Sequence, residues 1–162
     1  MFRKFISPLI LAMSVLVFAS SAFAQMPNLY GVPINAENAK KAAAGALAEA
    51  KKNNWTMAVA ITDGGGTLVF FEKMDGTQTG SVDVALGKAR TAALFKRPSK
   101  AFQDVLAAGG DGLRILGLQG AVPIDGGLPL LIDGKIVGAI GMSGGSSAQD
   151  GIAAKAGADA LK

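Results

Sequence analysis

Neither cysteine nor histidine occurs among the 162 residues of the chain. Without cysteine there is no disulfide, no thiolate metal site, no cysteine nucleophile and no lipoprotein anchor, so packing alone must hold the fold. Without histidine there is no Ser-His-Asp triad, no ordinary zinc site and no imidazole proton shuttle. No run of five or six like charges appears, and no basic stretch alternates with aromatics, which argues against nucleic acid as a partner. Aromatic side chains are scarce after residue 24, where they reduce to Tyr30, Trp55, Phe70, Phe71, Phe95 and Phe102.

Residues 1–24 differ from the rest. Arg3 and Lys4 precede an apolar run over residues 5–18, and Ala22-Phe23-Ala24 has the A-x-A form of a cleavage site. The run is short, contains Pro8 and ends in small residues, so it predicts a cleaved secretory signal rather than a membrane anchor. The net charge of +4 falls by two when Arg3 and Lys4 leave with the signal. The expected organisation is a signal over residues 1–24, a lead-in over 25–34 and a single domain over 35–162. The expected location is exported, periplasmic or extracellular, with no membrane attachment after cleavage.

Asn35 is a good N-cap for a helix on which Ala36, Ala39, Ala43, Ala46, Leu47 and Ala50 recur at helical spacing. Residues 55–63 alternate, with Met57, Val59 and Ile61 on one side, and Asp63-Gly64-Gly65-Gly66 predicts a turn into a second strand over 67–73. Residues 128–132 and 135–142 form another hairpin around Asp133-Gly134. Helices are expected over 80–95, over 99–108 and from Ser146 or Ser147 to Leu161. Residues 111–125 carry no clear pattern. Hairpins in place of βαβ crossovers predict an α+β fold with helices packed on an antiparallel sheet. The 22 glycines make up about one residue in six beyond the signal, roughly twice the usual share. Their clustering suggests close backbone approach to a ligand or between subunits, or simply many tight turns.

Gly141-Met142-Ser143-Gly144-Gly145 matches the G-x-S-x-G of serine hydrolases, but no histidine is available to take the serine proton. A Ser-Lys pairing would be required instead. The same loop offers the N–H groups and hydroxyls of Gly144, Gly145, Ser146 and Ser147 at a helix start, suited to a carboxylate or phosphate. Ordinary capping is the alternative, with Ser147 and Asp150 fitting S-x-x-D. On the second helix, Val82, Ala85, Leu86, Ala89, Ala92 and Ala93 form the main apolar stripe. Lys88 stands apart from it, on a partly apolar face with Val84, Thr91 and Phe95, where its ammonium either faces a cleft or reaches water over a buried stem. If Lys88 lines a site, Lys88→Met should keep the fold and weaken an anionic ligand. Lys96, Arg97 and Lys100 complement the end of this helix or hold acidic substituents.

Asp63-Gly64-Gly65-Gly66, the stretch from Met74-Asp75-Gly76 to Ser81, Lys88-Ala89-Arg90-Thr91-Ala92, Gly126-Gly127-Leu128-Pro129, the run from Val137 through Gly138-Ala139-Ile140-Gly141 to Gly145, and Gln149-Asp150 together resemble the GlcG/HbpS family of small haem-binding proteins. The resemblance spans residues 34–161. It implies a profilin-like fold, a five-stranded antiparallel sheet flanked by helices, assembly into homo-oligomers, and binding of haem or a related tetrapyrrole, with haem degradation proposed for some members. It extends the ligand-binding set to Lys88, Thr91, Gly126, Gly127, Pro129, Ser143, Gly144, Gly145, Ser146 and Ser147. The sequence departs from ordinary haem ligation, for which His, Met, Cys or Tyr is usual. Met74, Met142 and Tyr30 are the candidate axial ligands, Met57 being expected in the core. A homo-oligomeric binding protein for a small ligand, most simply haem, is thus the leading expectation. The alternatives are an enzyme or accessory protein for a small carboxylic acid such as a 2-hydroxy acid, since family members occur beside glycolate-utilisation functions, and an oligomeric interaction subunit without a ligand.

Overall fold

The structure is a computed structural model that describes residues 28–162, so the expected signal lies outside the described residues. Helix α1 (Ala36–Lys52) leads into strands β1 (Ala58–Asp63) and β2 (Leu68–Lys73). Helices α2 (Ser81–Phe95) and α3 (Lys100–Ala107) and a 3-10 helix (Gly110–Gly117) follow. Strands β3 (Gly127–Ile132) and β4 (Lys135–Ser143) and helix α4 (Ser147–Asp159) complete the chain. The expected α+β class with two hairpins is thus present. All pairings are antiparallel, in the order β2-β1-β4-β3.

Local chemistry sets these boundaries. The Asn35 side chain accepts from the N–H of Asn38 and caps α1 as the sequence predicts. At the first hairpin one Asp63 carboxylate oxygen accepts from Gly65 and Thr67 N–H, at 2.9 and 2.8 Å. At the second, Asp133 and Gly134 both have positive φ, the requirement of the tight turn that Asp-Gly favours.

Four strands are found among the described residues, not the five that the resemblance implied. The start of β4 runs past the end of β1, where Asp63 pairs with Gly138, and the lead-in fills the gap. Gly31 N–H donates to Ile136 O, Ile136 N–H to Leu29 O and Ile34 N–H to Val137 O, each at 2.8 Å. Tyr30 makes one parallel bridge to Ile136. Pro33 has no N–H with which to continue a ladder, so the segment stops short of a strand.

The central strands β1 and β4 are buried on both faces, and the faces differ. Towards α1 and α4 the sheet presents Met57, Val59, Ile61, Leu130, Ile140 and Met142, which form the main core. Towards α2 it presents Ala58, Ala60, Ala139 and Gly141. Helices α1 and α4 meet through their small residues: a Cβ on Gly45 would lie 2.9 Å from Ala160 Cβ, and one on Gly157 would lie 2.7 Å from Ala42 O. Phe70 packs with the core on the α1/α4 side and Phe71 with Ala58, Ala60 and Leu86 on the other. The alanine faces of the helices and the adjacent Phe70 and Phe71 thus find contacts within one chain. No helix among the described residues is long and apolar enough to cross a membrane.

Candidate functional site

The second helix buries the alanines of its predicted apolar stripe, Ala85, Ala89, Ala92 and Ala93, but the buried face is turned from Val82 and Leu86 towards Lys88 and Thr91. Val82 and Leu86 are only partly covered, whereas Ser81, Ala85, Lys88, Ala89, Thr91, Ala92 and Ala93 are buried. The cause is close approach of backbones. A Cβ on Gly141 would lie 2.0 Å from Ala85 O, and one on Gly127 would lie 2.3 Å from Lys88 O. These two glycines pair across β3 and β4 and let α2 lie directly on the sheet. Here the close approach expected from the glycine content is made by a helix of the same chain.

Seated this way, Lys88 points under the helix, with only 1% of its side chain exposed. Its Nζ donates to Asp150 Oδ2 at 2.7 Å and to Met142 O at 3.1 Å. The other Asp150 oxygen accepts from Gly145 N–H at 3.0 Å. Gly126 lines the same spot at φ +117, where a Cβ would lie 2.7 Å from Asp150 Cβ and 3.0 Å from Lys88 Nζ. Its carbonyl accepts from Met142 N–H at 2.9 Å. One buried ion pair thus joins α2, β4, the loop before β3 and the first turn of α4. Burial holds the Asp150 carboxyl above its ordinary range, although Lys88 and Gly145 both pull it down.

Sequence reasoning missed Asp150 as a site residue and gave it a capping role with Ser147. The cap is instead Ser146, which accepts from Gln149 N–H while the Gln149 side chain accepts from Ser146 N–H. That box frees Asp150 to turn inward. A signal was present: Asp150, Ala153, Ala154 and Gly157, the buried residues of α4, recur at i, i+3, i+4 and i+7, which puts a carboxylate on the inner face.

The other predicted residues are dispersed around this pair. Thr91 Oγ1 donates to Gly87 O and accepts from Val122 N–H, both at 2.8 Å, tying the 120–124 segment to α2. Ser143 is buried, and its hydroxyl lies 3.2 Å from that of Ser81, while Lys88 turns to Asp150 and Met142 O. Pro129 lies in β3, an edge strand, where a missing N–H is tolerated. Gly144, at φ +151, seats its loop against Thr56, whose carbonyl would be 2.2 Å from an added Cβ. Ser147 opens α4 without capping it. Ser99, where the third helix was expected to start, donates to Ile124 O and accepts from Gly127 N–H. Lys96 stacks on the Tyr30 ring, Arg97 lies over Phe102, and Lys100 pairs with Asp104.

A family model described as "Haem degrading protein HbpS-like" matches residues 34–159. The chain belongs to this HbpS-like family. It is 36% identical to protein GlcG of Escherichia coli K12 over 95 residues, which cover 59% of this chain and 69% of GlcG. Its fold is similar to a crystal structure of a double mutant of Streptomyces reticuli HbpS, with TM-score 0.74 and 30% identity over 82% of this chain and 89% of that one. A PduOC–haem complex superposes with TM-score 0.72 and 27% identity, covering 81% of this chain and 96% of the other.

Set against a haem group, this HbpS-like chain offers surface more readily than an iron ligand. Met142 is fully buried in the core. Tyr30 donates its hydroxyl to Ala93 O at 2.8 Å, and burial raises its phenol above the ordinary value, against the phenolate that iron would need. Met74 lines a shallow cleft of about 420 Å³, but beside Lys51, Glu72, Lys73 and Asp75 rather than apolar walls. The described residues therefore do not fit a haem held by a protein-to-iron bond. Exposed apolar side chains occur elsewhere: Val105 in α3 and Leu113, Leu116, Leu118 and Ile124 after it, Leu116 at 70%, with Arg114 next to Leu113 in the chain.

Proposed function

We propose that this chain is an exported, homo-oligomeric member of the HbpS-like family that takes haem or a related tetrapyrrole on its surface. The observation that carries the reading is the family match over residues 34–159, and the similarity to a haem complex at TM-score 0.72 supports it. Binding rests on apolar contact with the macrocycle and on cations for its carboxylates, with no axial side chain. Leu113, Leu116, Leu118 and Arg114 are the residues offered for it. Without a bond to iron the affinity is micromolar, about −8 kcal/mol. The signal-like residues 1–24 support export, and the exposed apolar side chains support self-association.

Titration of haemin into the chain lacking residues 1–24, followed at the Soret band, tests the reading. A saturable shift is expected, unchanged in Met74→Leu and weakened in Leu116→Ser. Absence of saturation beyond that of an unrelated protein contradicts haem as the ligand. A shift abolished by Met74→Leu contradicts binding without an axial side chain.

A further inference from the structure

The groups that the sequence suggested for an external anion, Lys88 and the N–H groups of the loop before α4, do hold a carboxylate. It is the chain's own. Both Asp150 oxygens are engaged, one by the Lys88 ammonium at 2.7 Å and the other by Gly145 N–H at 3.0 Å. Such charge-assisted bonds are the kind that recognise a free carboxylate. The Lys88 ammonium and the Asp150 carboxylate are both out of solvent, with 1% and 3% of the two side chains exposed. Met142 O accepts a second bond from the ammonium, and Gly126 lets the pair pack closely, since a Cβ there would lie 2.7 Å from Asp150 Cβ and 3.0 Å from Lys88 Nζ.

We propose that this is a carboxylate-binding site for a small monocarboxylate, kept closed by Asp150 as a tethered occupant. The tether places the carboxyl group in the site permanently, at an effective concentration that free acids do not reach. Small acids therefore find no unpaired lysine in the native chain. Truncating Asp150 to Ala removes one carboxyl group, the atoms of a formate ion, and leaves the ammonium buried without its counter-ion. That vacated site should take up formate, and acetate less well because of its extra methyl. The proposal is independent of the tetrapyrrole reading, because it concerns a site beneath α2 and not the exposed surface.

Thermal unfolding of the Asp150→Ala chain in sodium formate, against sodium chloride of equal ionic strength, tests it. Formate should raise the melting temperature saturably by several degrees, whereas the native chain, Asp150→Asn and the double variant Lys88→Met with Asp150→Ala should respond to the two salts alike. If Asp150→Ala does not fold in chloride, refolding yield by circular dichroism replaces melting, and formate should restore it. Equal behaviour in the two salts, failure to refold in both, or the same formate response in the double variant would each overturn the proposal.

Discussion

The two faces of the sheet solve the burial problem in opposite ways. Towards α1 and α4, side chains fill the space: Met57, Val59, Ile61, Leu130, Ile140 and Met142 are fully buried against alanine-rich helices. Each contributes about 1.5–3 kcal/mol of apolar transfer. Towards α2 there is almost no side-chain volume to bury, and helix backbone meets strand backbone over Gly127 and Gly141. The specific polar contacts gather on that second side, including Lys88 with Asp150 and Ser81 with Ser143. A face made of large apolar groups tolerates changes in shape, while a face made of backbone contact and one buried charge pair does not.

The largest effect should come from closing the gap on the α2 face. Gly141→Ala places a Cβ against Ala85 O, with backbone on both sides and nothing flexible to yield. Denaturant unfolding should show a loss of more than ~3 kcal/mol. On the opposite face Met142→Leu conserves volume and should cost less than ~1.5 kcal/mol. Comparable losses for the two variants would erase the contrast between the faces.

A smaller effect separates two aspartates of α4 by pH. Burial raises the Asp150 carboxyl above its ordinary 3.8, whereas Lys155 and Lys162 lower that of the partly exposed Asp159 below 3.8. A raised folded value means that the native chain binds the proton more tightly than the unfolded chain. Asp150 therefore favours the fold most at acid pH, and that contribution falls as pH rises from the unfolded value through the folded one. Asp159 has the opposite sign: its contribution is present above the unfolded value and is lost as pH falls through the folded one. Carboxyl chemical shifts followed by NMR should give midpoints on opposite sides of 3.8, and a low midpoint for Asp150 would mean that the pair outweighs its burial.

Much of this contrast was legible in the sequence, but unevenly. Alternation over residues 55–63 exposed the large face of β1, and Asp133-Gly134 identified the β3–β4 hairpin, because both depend on local chemistry. The buried face of α2 was read in part: Ala85, Ala89, Ala92 and Ala93 are buried as predicted, but hydrophobicity adds Val82 and Leu86 where geometry adds Ser81, Lys88 and Thr91. Burial there follows from glycines about forty to sixty residues further along the chain, a tertiary effect that helical periodicity does not carry. Lys88 and the loop before α4 were found as an anion site, but the occupant was not. Asp150 looked like a capping residue as long as Ser147, not Ser146, was taken as the cap. The resemblance supplied a fifth strand that the lead-in, interrupted at Pro33, does not form.

The central claim is that Lys88 and Asp150 act as one buried unit, a lock beneath α2 in which the chain's own carboxylate fills the place beside the ammonium. That reverses the sequence-based expectation that Lys88→Met would leave the fold unchanged. A double-mutant cycle with Lys88→Met and Asp150→Asn, read by denaturant unfolding at neutral pH, tests it most directly. Lys88→Met alone should cost about 3–5 kcal/mol because it strands a buried carboxylate. Adding Asp150→Asn should cost nothing further, or recover part of the loss, because the unpaired charge goes with it. If Lys88→Met leaves stability unchanged, or if the two losses simply add, the residues are independent and the lock does not exist.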